Sequence, residues 1–209
     1  LVFITSIFTN IYSVIAIISM LGLPVREGII LATMCLISHG FIIESVVLRK
    51  TGSNLWRMIG LRLIMSFVAA LFLNLILPQF EGNVTGGIER ENLEFSAAFM
   101  GWLVLMLKMT LKILVLIGLS PEVSFGWFLG NAVGLAYGSA ILIEQVDDGQ
   151  VTRQQADLLN HHLAVSHSQL EDPLLFYAIG LPILWLMWPR VILAVLAVWL
   201  RKLELHLWY

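Results

Sequence analysis

Two short stretches decide how this chain folds: SHGFIIE at residues 38–44 and SHSQLED at residues 166–172. Each begins with Ser-His and ends with an acid five residues after the histidine. Both lie close to apolar blocks, where histidines and carboxylates are costly to place and usually mark a pathway for a substrate or a proton. Positions five apart lie about 140° apart around a continuous helix, so the histidine and the acid face different directions unless the helix breaks between them.

Helix-breaking residues occur in both stretches. Gly40 interrupts the first, and in the second Asp172-Pro173 is a helix-start signal, with aspartate as the cap and proline at the first helical position. We therefore expect two discontinuous helices, each with its histidine at the end of one segment and its acid at the start of the next. Paired interruptions of this kind indicate the binding site of a transporter. The alternative is that each histidine bonds to a neighbouring helix and each carboxylate reaches an interface.

The two stretches belong to a longer internal repeat. A shift of 128 residues, from 38 to 166, superimposes five polar or glycine pairs without a gap: Ser38 and Ser166, His39 and His167, Glu44 and Asp172, Gly52 and Gly180, and Arg62 and Arg190. Duplicated halves are the usual construction of transporters. We infer a single membrane domain, 1–209, with repeat one at 1–78, a connector at 79–120 and repeat two at 121–209.

The composition is that of a membrane protein. The chain has 209 residues, of which 59% are hydrophobic and 12% charged, with a mean hydropathy of +0.90, whereas soluble domains are about 45–50% apolar and about 25% charged. The net charge of −2 argues against nucleic acid as a partner. The single cysteine, Cys35, excludes a disulfide framework and a cysteine-based metal site. Residues 1–22 lack a signal-peptide pattern, and because the chain starts without methionine we expect an upstream piece.

Seven hydrophobic blocks lie along the chain, and about 20 apolar residues suffice for one helical crossing. They run from 1 to 22, 28 to 48, 58 to 78, 95 to 120, 124 to 144, 164 to 180 and 182 to 200. The glycines of block 124–144 suit a re-entrant hairpin, and its repeat partner is block 1–22. Lys108 and Lys112 are set aside, which leaves ten basic residues. With two hairpins and five crossings these divide three to seven between the two sides, the three being Arg26, Arg90 and Arg190, against five to five with seven crossings. The biased count favours inverted repeats with the seven in the cytoplasm, and a plain seven-helix bundle remains the alternative.

The predicted fold is therefore an all-α integral membrane protein built from two inverted repeats. Each repeat has a re-entrant hairpin, a broken helix and a full span, and a connector helix joins the repeats. Lys108 and Lys112 share one face of the connector, either as interior partners of Glu44 or Asp172 or as the polar face of a helix in the interface. If the connector helix lies in the membrane interface, four crossings remain and the two halves have the same orientation in the membrane. The pair His161-His162 is expected to be solvated.

The two Ser-His and acid elements resemble the nucleoside-recognition, or gate, family of bacterial membrane proteins. The resemblance covers roughly residues 20–200 and includes RKTG at 49–52 and QLEDP at 169–173. That family includes the spore-maturation A and B proteins, and related segments occur in concentrative nucleoside transporters and in ferrous-iron transport proteins, whose GTPase signature this sequence lacks. The resemblance implies a multi-pass protein of the bacterial inner membrane.

We expect a transporter-like protein that binds a small polar solute, such as a nucleoside, at a central site between the repeats. Proton coupling is expected because histidine titrates near neutrality. The predicted substrate-binding residues are Ser38, His39, Glu44, Lys108, Lys112, Asn131, Ser166, His167, Glu171 and Asp172. We expect the lipid bilayer and further copies of the chain, in a homo-oligomer, as partners.

Two other functions stay open. One is a non-transporting assembly or maturation factor that acts with a partner. The other is divalent metal transport, because converging histidines and carboxylates supply nitrogen and oxygen ligands, although no His-x-x-Glu or His-x-x-x-His spacing occurs. No cofactor and no enzymatic activity are expected, since the adjacent side chains of a Ser-His dipeptide generally point apart.

Overall fold

The computed structural model describes residues 1–84 and 114–208. These residues form helices and turns without a strand, which confirms the predicted all-α class. Lys108 and Lys112, with most of the connector, lie outside the described residues. The predictions for the two lysines and for the connector therefore stay predictions.

Five helices make up the first half. They are α1 (Val2–Phe8), α2 (Ile11–Leu21), α3 (Val25–Ser38), α4 (Phe41–Lys50) and α5 (Leu55–Ile76). The side chain of Asn10 accepts a hydrogen bond from the backbone of Ser13 and begins α2, and Asn54 begins α5 in the same way through the backbone of Arg57. Each asparagine satisfies an amide that has no partner within its helix.

Five further helices follow a 3₁₀ turn at Pro121–Val123. They are α6 (Ser124–Ala132), α7 (Leu135–Asp147), α8 (Arg153–Ser166), α9 (Glu171–Tyr177) and α10 (Ile183–Trp208). A capping box between Thr152 and Gln155 begins α8. Both α3 and α8 have 14 residues, and their two ends are each 128 positions apart, from 25 to 153 and from 38 to 166.

Two helices of the described ranges, α5 and α10, are long and apolar enough to cross a membrane. The pair α3 and α4 counts as a third span if its bend of 42° is included. The pair α8 and α9 does not reach that standard, because α8 carries Asp157, Asn160 and two histidines. Predicted block 164–180 is accordingly divided between the end of α8 and the short helix α9, and it is not one continuous apolar span.

Each block that was predicted to be a hairpin contains two short helices. Block 1–22 divides at Thr9-Asn10 and block 124–144 at Val133-Gly134, where Gly134 has a φ of 127°. Helices α6 and α7 lie against each other so closely that a Cβ at Gly138 would be 2.6 Å from the Cα of Gly130. Block 124–144 therefore folds back on itself, and only glycine permits this approach of the two backbones.

Helices α3, α5, α8 and α10 meet at the centre of the molecule. A small apolar cluster joins them, formed by Ile37, Met65, Ala69, Val165, Leu193, Ala194 and Ala197. The cluster contains three pairs of positions that the shift of 128 relates: 37 and 165, 65 and 193, and 69 and 197. Packing at the centre thus involves corresponding positions of both halves.

Candidate functional site

Both histidine-containing helices break at the histidine. Helix α3 ends before His39, whose backbone is extended, and Gly40 then takes the left-handed conformation with a φ of 55°. Helix α8 ends before His167, and Ser168 takes a φ of 49°. Ser168 is the one non-glycine residue with positive φ in the part of the chain that the structure describes. The second break therefore makes the same backbone turn without a glycine, at a cost in strain.

In the second broken helix, the segment after the break begins earlier than the sequence predicts. Helix α9 begins at Glu171, so Asp172 and Pro173 lie inside its first turn and the predicted aspartate cap is wrong. The backbone amide of Asp172 donates instead to the carbonyl of Ser168 at 3.3 Å. This turn closes the chain ahead of α9 and leaves the Asp172 carboxylate buried in the interior. Pro173 is tolerated there because first-turn amides have no partner within a helix.

One buried arginine closes the end of each broken helix. In the first half, Arg62 Nε donates to the carbonyl of Ile37 at 2.8 Å and Nη2 to the carbonyl of His39 at 2.7 Å. In the second half, Arg190 donates through the same two nitrogens to the carbonyls at 165 and 167. Carbonyls at the end of a helix lack intrahelical partners and carry partial negative charge. A guanidinium donates hydrogen bonds to them and balances that charge.

The charge count assigns the two arginines to the surfaces of the membrane, and the structure corrects this. Both are fully buried inside their helices, Arg62 in α5 and Arg190 in α10. Sequence comparison of the halves had paired them but had not assigned them to the site. Their pairing in the repeat was the signal that marked them, since an arginine inside an apolar helix needs a specific partner.

Four buried or partly buried side chains converge between the two breaks, and we call them the central cluster: His39, Glu44, His167 and Asp172. His39 Nε2 lies 3.4 Å from Glu44 Oε1 and 3.6 Å from Asp172 Oδ2. His167 Nε2 lies 3.4 Å from Glu44 Oε2. The two imidazole centroids are 5.2 Å apart. Each half therefore contributes one histidine and one acid to a single group of side chains.

The second nitrogen of each histidine is held by the histidine's own helix. His39 Nδ1 lies 3.2 Å from the carbonyl oxygen of Cys35, and His167 Nδ1 lies 2.8 Å from that of Leu163. Because a carbonyl only accepts, Nδ1 carries the proton in both rings, and Nε2 of each neutral ring is an acceptor. Both Nε2 atoms then face the carboxylate of Glu44, which also accepts. Two facing acceptors are satisfied by a proton on one of them or by a cation between them.

The neighbourhood of the central cluster is rich in unpaired polar atoms. Arg62 Nη2 donates to Glu44 and pairs its charge. Fourteen buried side-chain atoms lack a hydrogen-bond partner within residues 1–84 and 114–208. Six of them belong to the central cluster, the second break and the two arginines, namely Arg62 Nη1, His167 Nε2, Gln169 Nε2, Gln169 Oε1, Asp172 Oδ2 and Arg190 Nη1. Buried polar groups are ordinarily hydrogen-bonded. This concentration of unpaired groups indicates a place where a ligand or water binds.

Three predicted site residues are buried but bond within or beside their own helices. The Ser38 hydroxyl donates to the carbonyl of Met34 at 2.8 Å. The Ser166 hydroxyl lies 2.8 Å from His162 Nδ1 and donates to the side-chain oxygen of Asn131 at 3.4 Å. These contacts hold α8 against α6, and they support the break at residue 167 without including Ser38, Asn131 or Ser166 in the central cluster.

Glu171 faces away from the central cluster. It is exposed, and its carboxylate accepts a hydrogen bond from the hydroxyl of Tyr12 at 3.3 Å. Of the two adjacent acids in the second stretch, the structure therefore brings only Asp172 to the histidines. Helix geometry explains the difference, because neighbouring positions point about 100° apart around α9.

The expectation of a solvated His161-His162 pair is wrong. Both histidines are buried, since α8 continues through them. His161 Nδ1 donates to the carbonyl of Asp157 at 2.7 Å, and the His162 ring lies against the indole of Trp127 with centroids 6.0 Å apart. The polar residues of this segment are covered by tertiary packing that its composition does not reveal.

Sequence reasoning also missed a second polar group at the helix ends, which we call the end network: Ser53, Arg57, Asp157, Arg201 and Glu204. Asp157 accepts from the hydroxyl of Ser53 at 2.6 Å and from Arg201 Nε at 2.7 Å. Glu204 pairs with Arg201 at 3.0 Å and with Arg57. These contacts join the start of α5 to the start of α8 and the end of α10.

Asn160, one turn further along α8, extends this connection. Its buried side-chain amide donates to the carbonyl of Leu48 and to the hydroxyls of Thr51 and Ser53. The turn between α4 and α5 is therefore bonded directly to α8.

Comparison with known proteins supports the membrane assignment. The chain is similar to the uncharacterized membrane protein YvoD of Bacillus subtilis (strain 168), with 27% identity over 241 residues that cover 95% of this chain and 74% of that protein. No family model matches the chain, and no solved structure matches it. With its apolar helices α5 and α10, the chain is an all-helical membrane protein.

Proposed function

We propose that this protein is a membrane transporter whose central cluster binds a small polar solute between two inverted repeats. The observation that carries the proposal is the meeting of two broken helices. Each half contributes one histidine and one acid, and atoms from both halves approach within 3.4 to 3.6 Å. Interrupted helices whose ends converge inside a membrane protein are the usual setting of a transported ligand.

The end network supports the inverted arrangement. Arg57 at the start of α5 and Arg201 near the end of α10 both pair with Glu204, so these two helix ends lie together. Inverted halves with five crossings place the two arginines on the same side of the membrane. Seven crossings, or parallel halves, would place them on opposite sides.

The contacts of the two arginines support the duplication. The acceptors of Arg62 are the carbonyls of residues 37 and 39, and those of Arg190 are the carbonyls of residues 165 and 167. Donor and acceptors are therefore displaced by the same 128 positions, for example from 62 to 190. Two unrelated segments would have no reason to share this bonding pattern.

Nucleosides and related metabolites are the first solutes to test, because the gate-family resemblance points to them. A solute of that size would reach the central cluster only after the α3–α4 and α8–α9 pairs separate, since atoms of the cluster lie only 3.4 to 3.6 Å apart. Alternating access of this kind is expected of a carrier built from two repeats. Proton coupling stays a prediction, which an imposed proton gradient would check.

Uptake of a metabolite panel by proteoliposomes tests the proposal. We expect saturable uptake of at least one solute and its loss in Glu44→Gln. Glu171→Gln is the matched control, because Glu171 is an acid of the second stretch that faces outward. No flux for any solute, together with an intact copurifying partner, would instead favour the assembly factor.

A further inference from the structure

We infer that the central cluster is a binding site for a divalent transition-metal cation, with His39 Nε2, His167 Nε2 and the Glu44 carboxylate as ligands and Asp172 as the fourth. Because the inference names the ligand of the same centre, it rests on the proposed function. Metal binding and solute flux are nevertheless separate measurements, so either can fail alone.

The spacing of the ligand atoms fits a small cation. One ligand atom from each of His39, Glu44 and His167 lies within 4.8 Å of the other two. The His39–Glu44 and His167–Glu44 separations are 3.4 Å, and Asp172 lies 3.6 Å from His39. Ligands at 2.0–2.1 Å from a tetrahedral metal are about 3.3–3.4 Å apart. The side chains therefore need only small shifts to hold an ion.

The surrounding bonds prepare these groups as ligands. In metal sites the nitrogen of histidine that does not bind the ion usually donates to a carbonyl or carboxylate, which fixes the ring and the tautomer. Both rings have this bond, to the carbonyls of Cys35 and Leu163. Arg62 donates to Glu44 and orients the carboxylate in the same manner. Each histidine is thus held through Nδ1 while its Nε2 faces a carboxylate, and Glu44 is held through Oε2.

The donor set indicates which cations fit. Two imidazoles suit zinc, iron, cobalt, nickel and copper, whereas magnesium and calcium prefer oxygen ligands alone. The charges of Glu44 and Asp172 balance a dication. Arg190 donates to the carbonyl of His167, and Arg62 pairs with Oε2 of Glu44 as well as with the carbonyl of His39. Oε1 of Glu44, which faces His39, is the oxygen that Arg62 leaves available to an ion. Local spacing along the chain does not show this set, because its members come from segments 128 residues apart, from 39 to 167, and only the repeat relates them.

Titration of the purified full-length protein with cobalt(II) tests the inference. We expect one ion per chain and the strong visible absorption of four-coordinate cobalt. His39→Ala and His167→Ala should each lower the affinity by at least about tenfold, since losing even a supporting residue costs a metal site this much. His206→Ala is the matched control, because His206 is exposed near the end of α10.

A further variant guards against simple misfolding. His167→Cys replaces one ligand by another, so it should retain cobalt and add a sulfur-to-cobalt charge-transfer band in the near ultraviolet. Absence of cobalt binding in the unaltered protein, or binding that both histidine variants leave unchanged, would overturn the inference. If metabolite uptake depends on Glu44 but no metal binds, the metal site is also overturned and the proposed function stands. If a metal binds but no solute is taken up, the metal site is supported and the result counts against transport.

Discussion

His39 and His167 occupy equivalent positions at two broken helices, and their shared carboxylate makes them partners. Glu44 lies 3.4 Å from each ring, so removing either histidine disturbs the same group. We expect His39→Ala and His167→Ala to weaken ligand binding comparably, and the double variant to be little worse than either, because groups that act on one ligand are coupled. Calorimetric titration of the three variants measures this. If one histidine proves dispensable while the other is essential, the shared site is wrong.

Arg190 shows why arginine is needed at the end of a broken helix. Its planar guanidinium reaches two carbonyls at once, which the single ammonium group of lysine cannot do. We expect Arg190→Lys to destabilise the fold by about 1–3 kcal/mol, the cost of leaving a buried carbonyl without a partner.

Thermal unfolding in detergent measures the effect of Arg190→Lys. Arg49→Lys is the control, since Arg49 is exposed at the end of α4. Equal melting temperatures of the two variants would show that water replaces the guanidinium as the donor to these carbonyls.

At the scale of the helix, the break at residue 40 depends on a backbone conformation. Gly40 has a φ of 55°, and a Cβ there would lie 3.3 Å from Glu44 Oε1. We expect Gly40→Ala to cost about 1–2 kcal/mol, because a side chain disfavours the left-handed region. Gly60→Ala should instead stabilise by about 0.5–1 kcal/mol, since Gly60 lies inside α5 with open space around it. The free energy of unfolding of the two variants, measured side by side, should change in opposite directions. A change in the same direction would contradict the role of Gly40.

The contact between α6 and α7 gives a second test at this scale. A Cβ at Gly138 would lie 2.6 Å from the Cα of Gly130 and 2.8 Å from the carbonyl oxygen of Gly126, and backbone atoms cannot rotate away. We expect Gly138→Ala to destabilise the protein by about 1–3 kcal/mol through overpacking. A melting temperature equal to that of the unaltered protein would mean that the two helices separate at no cost.

The sequence predicted the helix breaks better than their details. The glycine at position 40 predicts the first break, and the repeat predicts a second break at the equivalent position, His167. The prediction misplaces the start of α9 because a local backbone bond sets it, from the amide of Asp172 to the carbonyl of Ser168 four residues earlier. The roles of Arg62 and Arg190 were missed because their acceptors are backbone carbonyls 23 and 25 residues away. Side-chain patterns contain no information on such acceptors.

At the scale of the whole molecule, the burial of the two arginines changes the charge count. In the inverted arrangement, Arg190 is one of three basic residues on one side of the membrane and Arg62 is one of seven on the other. Without these two buried arginines, the sides have two and six basic residues. The corresponding count for seven crossings becomes five to three. The inverted arrangement therefore has the stronger bias of basic residues toward one side.

Labelling of single cysteines from either side of the membrane tests this topology. In a Cys35→Ala background, we expect Lys50→Cys and Lys202→Cys to react from the same side and Glu27→Cys from the other. In a seven-crossing bundle, position 202 would react together with 27 and opposite to 50. Reaction of that kind would rule out inverted halves.

The bonds between Asn160 and the α4–α5 turn also bear on how the protein is made. Helix α8 contains Asp157, Asn160 and two histidines, and each such side chain opposes transfer into lipid on its own. Residues 48–53, which supply the partners of Asn160, are synthesised more than a hundred residues earlier. The first half thus provides a prepared polar surface for a segment that the bilayer alone would reject. We therefore expect assembly to be directional, with the later half depending on the earlier one for its entry into the membrane.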